Sequence, residues 1–224
     1  MTDATSLSLP PLVLVGAGGH AKVVIEVARA AGRFNLVGLI DPRPAAAEVL
    51  GVPVLGGDEI LPRLRAEGIA WAFVALGGNA VRERIGAALR AAGFRLATIA
   101  HPSAEVMPSA RLGEGVVAMA RVVVSAEARV DDLAILNTGA VVEHDNCIGA
   151  AAHIAPLAAL AGNVRVGARA LIGVGSAIRP GISVGEDAVV GAGSAVVANV
   201  PAGATGGGVP ARPLEPRSGA AKPG

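Results

Sequence analysis

The sequence predicts two structural parts in one chain, an α/β domain with a parallel sheet followed by a solenoid of short parallel strands. Two observations support this prediction. Predicted strands and helices alternate up to about residue 100, and beyond it an aliphatic residue recurs at every sixth position. With 224 residues the chain has room for two small domains. We expect a flexible N-terminus at 1–10, the α/β domain at 11–102, the solenoid at 103–200, and a C-terminal tail at 201–224 whose last ten residues are disordered.

The α/β domain is predicted from strands that are each followed by a helix or a turn. The predicted strands cover 12–15, 36–40, 71–76 and 94–100, and the predicted helices cover 22–31, 58–66 and 81–92. This β-α-β order favours a parallel, Rossmann-like sheet, in which we expect four strands.

A glycine-rich segment joins the first strand to the first helix. It runs from Gly16 to Ala21, matches G-x-G-x-x-G/A, and is followed about twenty residues later by Asp41. Such glycines let a phosphate approach the backbone, and the N-terminus of the helix stabilises the phosphate charge. A sheet of four strands is closer to one mononucleotide-binding half than to a complete NAD-binding fold. We therefore favour a nucleotide diphosphate attached to a sugar, although the glycines could simply form a tight turn.

The second part is predicted from a six-residue repeat that runs without insertion from Val106 to Val196. Of its sixteen aliphatic positions, fifteen hold Leu, Ile or Val, although these residues fill only 62 of 224 positions in the chain. A small residue stands two positions before each aliphatic one, and only Asn146 and Ile182 break this second series. A period of six excludes a helix, so each hexad is interpreted as a short strand plus a turn. Three hexads then form a triangular coil with both series pointing inward.

The repeat also indicates which polar side chains point outward. His144 follows the inward Val142 by two residues and lies at a corner between Glu143 and Asp145. A neighbouring carboxylate can orient and polarise an imidazole, as a general base requires, although a lone histidine is often only a surface residue. His153 directly precedes the inward Ile154 and should also face outward.

Composition excludes several other classes of protein. A net charge of +1, with 17% charged and 2% aromatic residues, argues against a nucleic-acid binder or an anionic-membrane binder. No apolar stretch reaches the 18 residues of a membrane span, and no signal-peptide pattern precedes Leu12, so we expect a cytoplasmic protein. The single cysteine, Cys147, excludes an internal disulfide.

Several motifs together resemble one family. The opening G-A-G-G-H, the hexads N-T-G-A-V-V-E-H-D and H-I-A-P, and the late G-V-P-A-R resemble the bacterial hexapeptide-repeat sugar O- and N-acetyltransferases. This family includes sialic-acid O-acetyltransferases and N-acetyltransferases of nucleotide-linked amino sugars. The resemblance covers about residues 11 to 214. It implies a left-handed parallel β-helix and a homotrimer with active sites between subunits. It also implies acetyl-CoA-dependent transfer to the amine of a UDP- or GDP-linked 4-amino-deoxy sugar.

The resemblance also implies roles for individual residues. His144 becomes the general base, and Asp145 raises its basicity. No metal is expected. The implied acetyl-CoA contacts are His153, Val174 and Ala192, and the implied nucleotide-sugar contacts are Gly18, Gly19, His20, Asp41, Pro42 and Gly77. Pro42 stands where an N-acetyltransferase can place a second acid for uracil, so the base stays open. Four arginines could contact the phosphates of coenzyme A or simply be solvated: Arg165, Arg169, Arg179 and Arg212.

Three alternatives remain open at this point. The first is a sialic-acid-type sugar O-acetyltransferase, and the second is a sugar-nucleotide-binding protein without catalytic activity. The third is a zinc carbonic anhydrase on the same fold, which needs three histidine ligands. The repeat contains only His144 and His153, so this third alternative is disfavoured.

Overall fold

The computed structural model describes residues 9–214. Residues 1–8 and 215–224 lie outside this range. They contain most of the N-terminal segment that we expect to be flexible and the last ten residues that we expect to be disordered. Within the described range, no helix is long and apolar enough to cross a membrane.

The N-terminal domain is a Rossmann-like sheet flanked by helices. Its elements are β1 (Pro11–Val15), α1 (Gly19–Ala31), β2 (Asn35–Ile40), β3 (Glu48–Val49), β4 (Val52–Gly56), a 3₁₀ turn (Asp58–Ile60), α2 (Leu61–Ala66), β5 (Trp71–Val74), α3 (Asn79–Ala91) and β6 (Arg95–Leu96). The sheet order is β3-β4-β2-β1-β5-β6, and all its pairings are parallel except that of β3 with β4.

The prediction of four strands in this sheet is wrong, because the sheet has six. The sequence analysis missed β3 and β4. Both strands are short, Gly51 lies between them and Pro53 lies within β4, so no strand periodicity is visible. The predicted strand at 94–100 is two separate strands. The first is β6, and the second, β7 (Ile99–Ala100), pairs with a strand of the solenoid.

The second part is a β-helix with three flat faces built from two-residue strands. Face 1 contains β7, β10 (Val117–Ala118), β13 (Ile135–Leu136), β16 (His153–Ile154), β19 (Leu171–Ile172), β22 (Val189–Val190), β24 (Thr205–Gly207) and β25 (Arg212–Pro213). Face 2 contains β8 (Glu105–Val106), β11 (Val123–Val124), β14 (Val141–Val142), β17 (Ala159–Leu160), β20 (Ala177–Ile178) and β23 (Ala195–Val196). Face 3 contains β9 (Arg111–Leu112), β12 (Arg129–Val130), β15 (Cys147–Ile148), β18 (Arg165–Val166) and β21 (Ser183–Val184).

The register of the repeat is confirmed. From β7 to β23, strands on one face pair in parallel at intervals of eighteen residues, as Val141 with Ala159 and Val142 with Leu160. From Val116 to Val196 both inward series are buried, whereas Val106 and Leu112 in the first coil are half-buried. Burial of these stacked apolar side chains is the main stabilising contribution to the solenoid.

The N-terminal domain covers the first coils of face 1. Helix α1 packs against β7, and α3 lies along the corner between faces 3 and 1. At that corner Gly86 lies so close to Leu133 that a Cβ would be 2.5 Å from the leucine Cδ1. The outward residues Ile99, Val117 and Ile135 of face 1 are consequently buried. The corner between faces 2 and 3 points away from the N-terminal domain.

Candidate functional site

His144 lies at the corner between faces 2 and 3, in the turn from β14 to β15. Its Nδ1 is 2.8 Å from Oδ2 of Asp145, and the two side chains are 61% and 59% exposed. Asp145 has a φ of +60°, a left-handed conformation that aspartate tolerates better than most residues. When Nδ1–H donates to the carboxylate, Nε2 becomes the nitrogen that can accept a proton. The pair can therefore act as a solvent-accessible base.

The imidazole rests on a glycine of the next coil. A Cβ at Gly162 would be 2.4 Å from both Cε1 and Nε2 of His144, so any side chain there would displace the ring. In addition, the N–H of Asn163 donates to the carbonyl of His144 at 2.9 Å. The next coil thus fixes both the backbone and the ring of His144.

Asn146 is a buried amide directly beside this corner. Its Oδ1 accepts a 2.6 Å hydrogen bond from the N–H of Val164, and its Nδ2 donates to the carbonyl of Leu160 at 3.4 Å. Two coils earlier, the equivalent N–H of Ala128 instead bonds the carbonyl of Ser125 within its own turn. Asn146, the polar exception in the repeat, therefore shapes the turn that carries Gly162.

Two further histidines lie at the junction of the domains. Burial, and secondly the positive charge of Arg82, lower the pKa of both His20 and His153 to about 4. Both rings are therefore neutral at pH 7. The Nε2 of His20 is buried and has no hydrogen-bond partner within residues 9–214. That nitrogen is available to a ligand.

The tautomer of His153 follows from its neighbour Asn137. The Oδ1 of Asn137 accepts from the N–H of Thr138 at 2.8 Å, so its Nδ2 points to His153 Nε2 at 3.1 Å. Nε2 is then the acceptor and Nδ1 carries the proton. The Nδ1–H of His153 can therefore donate to a ligand oxygen.

The glycine loop borders an open cavity of about 440 Å³ between α1 and the β3 segment. A Cβ at Gly18 or Gly19 would meet no atom within 4 Å, so internal packing does not require glycine there. Gly16 differs, because its φ is +112° and a Cβ would approach Leu76 to 2.7 Å. Helix α1 starts at Gly19, three residues earlier than predicted, so its free N–H groups and Lys22 face the cavity. This arrangement suits a phosphate.

Asp41 holds this loop in place. Its Oδ2 accepts from the N–H of Ala17 at 3.0 Å, and its Oδ1 accepts from the N–H of Arg43 at 2.9 Å. Pro42 packs beside Gly57, where an added Cβ would be 3.2 Å from it. At the end of β5, Gly77 borders open space, and its carbonyl accepts a hydrogen bond from Arg82.

The predicted site residues fall into three groups. The glycine loop, His20, Gly77 and His153 lie where the N-terminal domain meets face 1. Val174 and Ala192 are on successive coils at the corner between faces 1 and 2, where the N–H of Gly193 donates to the Val174 carbonyl at 2.8 Å. His144 and Asp145 lie at the corner opposite face 1. One chain alone does not bring the proposed base to the glycine loop.

Arg169, one of the four arginines considered for the phosphates of coenzyme A, has other partners. It bonds Glu83 at 2.7 Å and Asp187 at 2.9 Å, and it also contacts Glu186. Its charge is therefore balanced by the protein itself. Among the described residues, no group of three or more His, Cys, Asp or Glu side chains is placed to hold a metal ion.

Sequence reasoning missed three residues of these sites. Asn137 belongs to the N-T-G motif, but the motif does not indicate that this side chain bonds His153. Gly162 occupies a corner position that holds Pro108, Ala126, His144, Pro180 and Ala198 in the other coils, and this is a visible but weak signal. Arg82 gave no signal, because an arginine in an amphipathic helix normally faces solvent.

Comparisons with known proteins agree with this architecture. The PglD N-terminal domain family matches residues 11–89, and the hexapeptide repeat of succinyl-transferase matches residues 163–198. The UDP-N-acetylbacillosamine N-acetyltransferase of Bacillus subtilis (strain 168) is 38% identical over 110 residues. That alignment covers 49% of this chain and 51% of the relative, so it spans about half the length of the curated relative.

Several solved structures match almost the whole chain. PerB from Caulobacter crescentus, in complex with CoA and GDP-perosamine, is 48% identical with a TM-score of 0.88. The match covers 94% of this chain and 100% of PerB. The acetyltransferase domain of PglB from Neisseria gonorrhoeae FA1090, in complex with acetyl coenzyme A, is 41% identical with a TM-score of 0.88. That match covers 92% of this chain and 100% of the PglB domain.

Proposed function

Because the chain belongs to the family of hexapeptide-repeat N-acetyltransferases of nucleotide-linked amino sugars, we propose that it transfers acetyl from acetyl-CoA to the amine of such a sugar. One observation carries this proposal. An accessible His144–Asp145 pair occurs in a chain that is 48% identical to a protein crystallised with CoA and GDP-perosamine. We expect a GDP-linked 4-amino-deoxy sugar to be the better acceptor, because that match is more complete than the one to a UDP-sugar enzyme. Since acetyl-CoA is a cytoplasmic metabolite, we also propose that the protein acts in the cytoplasm.

The proposed reaction is a direct transfer within one ternary complex. The neutral sugar amine attacks the thioester carbonyl, a C–N bond forms, and Nε2 of His144 takes the amine proton. Asp145 stabilises the resulting imidazolium through the 2.8 Å contact at Nδ1. A backbone N–H near the donor stabilises the tetrahedral oxyanion. The C–S bond then breaks, and the imidazolium gives its proton to the departing CoA thiolate.

The other predicted residues bind the two substrates in this proposal. His153, with the exposed corner of Val174 and Ala192, contacts acetyl-CoA, and the Nδ1–H of His153 supplies a donor there. The nucleotide sugar occupies the cavity at Gly18 and Gly19 and extends toward the remaining predicted contacts. Those contacts are His20, Pro42 and Gly77, together with Asp41, which acts by holding the glycine loop.

A homotrimer would bring these groups together, and we propose this assembly. The outward row of face 2 begins with the charged Glu105 in β8 and is apolar from β11 to β23: Val123, Val141, Ala159, Ala177 and Ala195. If face 2 turns toward a threefold axis, each subunit's corner between faces 2 and 3 meets its neighbour's corner between faces 1 and 2. His144 of one subunit then lies beside Val174, Ala192 and face 1 of the next.

A thiol-release assay tests the proposed activity. Acetyl-CoA is supplied with GDP- and UDP-linked 4-amino sugars, with free or CMP-linked sialic acid, or with no acceptor. Treating the product with hydroxylamine separates an acetyl ester, which is cleaved, from an amide, which is not. His144→Ala should lower kcat by about 10²- to 10⁴-fold. His101→Ala is the matched control and should keep wild-type activity, because within residues 9–214 the imidazole of His101 bonds only Ser103, at the solenoid surface. Nucleotide-sugar binding without thiol release would instead favour the non-catalytic alternative.

Mixing two inactive variants tests the trimer. In an assembly formed from His144→Ala and His153→Ala subunits, some interfaces carry both wild-type histidines, so activity should reappear. Reassembled mixtures that stay inactive, or a wild-type protein that is monomeric by light scattering yet active, would contradict a site shared between subunits.

A further inference from the structure

Arg82 on α3 is a completely buried cation whose partners are all neutral. It is 0% exposed, and no carboxylate within residues 9–214 forms an ion pair with it. Burial lowers the pKa of Arg82 to about 10, so the guanidinium keeps its charge at neutral pH. Its acceptors are the carbonyls of Leu76, Gly77, Leu133 and Ala151 and the side-chain oxygen of Asn79, at 2.7 to 3.1 Å. Burying a charge costs several kcal/mol unless such bonds satisfy it.

Three of these acceptors belong to chain segments that serve different substrates in the proposed reaction. Leu76 and Gly77 form the loop after β5, beside the proposed nucleotide-sugar site. Ala151 lies two residues before His153, which we assign to acetyl-CoA. One planar guanidinium therefore connects the loop beside the proposed nucleotide-sugar site to the strand that presents His153 to acetyl-CoA. Its N–H groups have fixed directions, so it holds the two segments at a set distance.

Docking of the two domains does not by itself require this buried charge. Helix α3 makes other contacts with the solenoid, through Gly86 against Leu133 and through two ion-pair groups. Glu83 bonds Arg169 at 2.7 Å, and Arg90 bonds Glu114 and Asp132 at 3.0 and 2.6 Å. Well-packed apolar residues often replace a buried ion pair with no loss of stability. The hydrogen bonds of Arg82 to the Leu76–Gly77 loop and to the turn at Ala151 therefore need a different explanation.

The geometry points to Arg82 as a positioning residue for acetyl transfer. It holds the Leu76–Gly77 loop in register with the segment that presents His153, an inference that rests on the proposed function. In this role it touches neither substrate. Its charge has a second effect, because it helps to keep His20 and His153 neutral, as hydrogen-bonding groups beside the substrates.

The test compares Arg82→Lys with Glu83→Gln in the full-length protein. Lysine keeps the charge and most of the stem, but its single ammonium cannot reach both sets of carbonyls. We expect kcat to fall by about 10²-fold, the loss that follows a misplacement of about 1 Å, and the KM for the nucleotide sugar to rise. Glu83→Gln breaks a docking contact of the same helix without touching either loop. It should lower the unfolding temperature but keep the wild-type kcat and both KM values.

Each outcome decides the inference. Wild-type kcat and KM values in folded Arg82→Lys would overturn it, and so would an equal loss of kcat in Glu83→Gln, because the effect would then be general domain docking. If Arg82→Lys does not fold, Asn79→Ser and Asn79→Asp replace it. Both changes remove the hydrogen bonds that Asn79 Nδ2 donates to the carbonyls of Arg169 and Ala170, but only the serine also removes the acceptor that bonds the guanidinium. A loss of kcat in Asn79→Ser that Asn79→Asp does not share supports the inference, and an unchanged kcat or an equal loss in both variants rejects it. The proposed function is judged separately, from the wild-type enzyme with and without the amino sugar.

Discussion

Replacing Gly162 by alanine should separate activity from stability. The backbone at Gly162 does not have a positive φ, so alanine fits its conformation. The added Cβ would be 2.4 Å from Cε1 and Nε2 of His144, whereas ordinary contacts begin at 3.4 Å. The imidazole must therefore move by about 1 Å. The ring can do so cheaply, because it lies at the end of a side chain that is 61% exposed.

The magnitude follows from this displacement. A misplacement of about 1 Å at a reacting group costs about 10²-fold in rate, so we expect kcat to fall by that factor. The free energy of unfolding should stay the same or rise by about 0.4–1 kcal/mol, because alanine restricts the unfolded chain. A variant that is inactive yet as stable as the wild type is an unusual combination. It would locate the defect at His144.

Thiol release from acetyl-CoA with the amino-sugar acceptor measures kcat, and urea denaturation measures stability. Gly206→Ala is the matched control in the same solenoid, since its Cβ would meet no atom closer than 3.5 Å, and it should keep wild-type activity. A folded Gly162→Ala variant with kcat within about threefold of the wild type would refute the reasoning, because the ring would then not need its present position.

Three other changes have measurable outcomes. Asp145→Asn keeps a residue that tolerates a positive φ but removes the charge, so kcat should fall by roughly ten- to a hundredfold while the circular dichroism spectrum stays unchanged. Asn146→Ala leaves the buried N–H of Val164 without its acceptor and should cost about 1–3 kcal/mol in urea denaturation; an unchanged midpoint would contradict this. The pKa values of about 4 for His20 and His153 predict a pH effect, because between pH 6.5 and 4 the unfolded chain binds protons that the folded chain does not. The contribution of these two histidines to the free energy of unfolding should be constant above about pH 6.5 and fall by roughly 3 kcal/mol per histidine as the pH drops to 4. His20→Gln should remove one of these two contributions.

Much of the fold and part of the site were predictable from local patterns. The hexads set the register of the solenoid, because each inward side chain must stack on the residue eighteen positions later. The same six-residue repeat placed His144 at a corner beside Asp145. The glycine loop was visible because a strand, a glycine turn and a helix follow one another directly in the chain. The short strands β3 and β4 were missed, since two to five residues interrupted by Gly51 and Pro53 leave no periodic signal.

The sequence by itself determined which residues of the solenoid point inward, which lie at corners, and where a phosphate-binding loop begins. Those features depend on neighbours in the chain or on a fixed repeat. Only the tertiary structure decided that α3 docks at the corner between faces 3 and 1, that Arg82 is buried against two loops, and that His144 faces away from the glycine loop. The contacts of Arg82 with the solenoid join residues that are 51 and 69 positions apart along the chain and belong to surfaces that do not repeat. No local periodicity encodes such contacts, because their stability comes from the packing of two independently patterned domains.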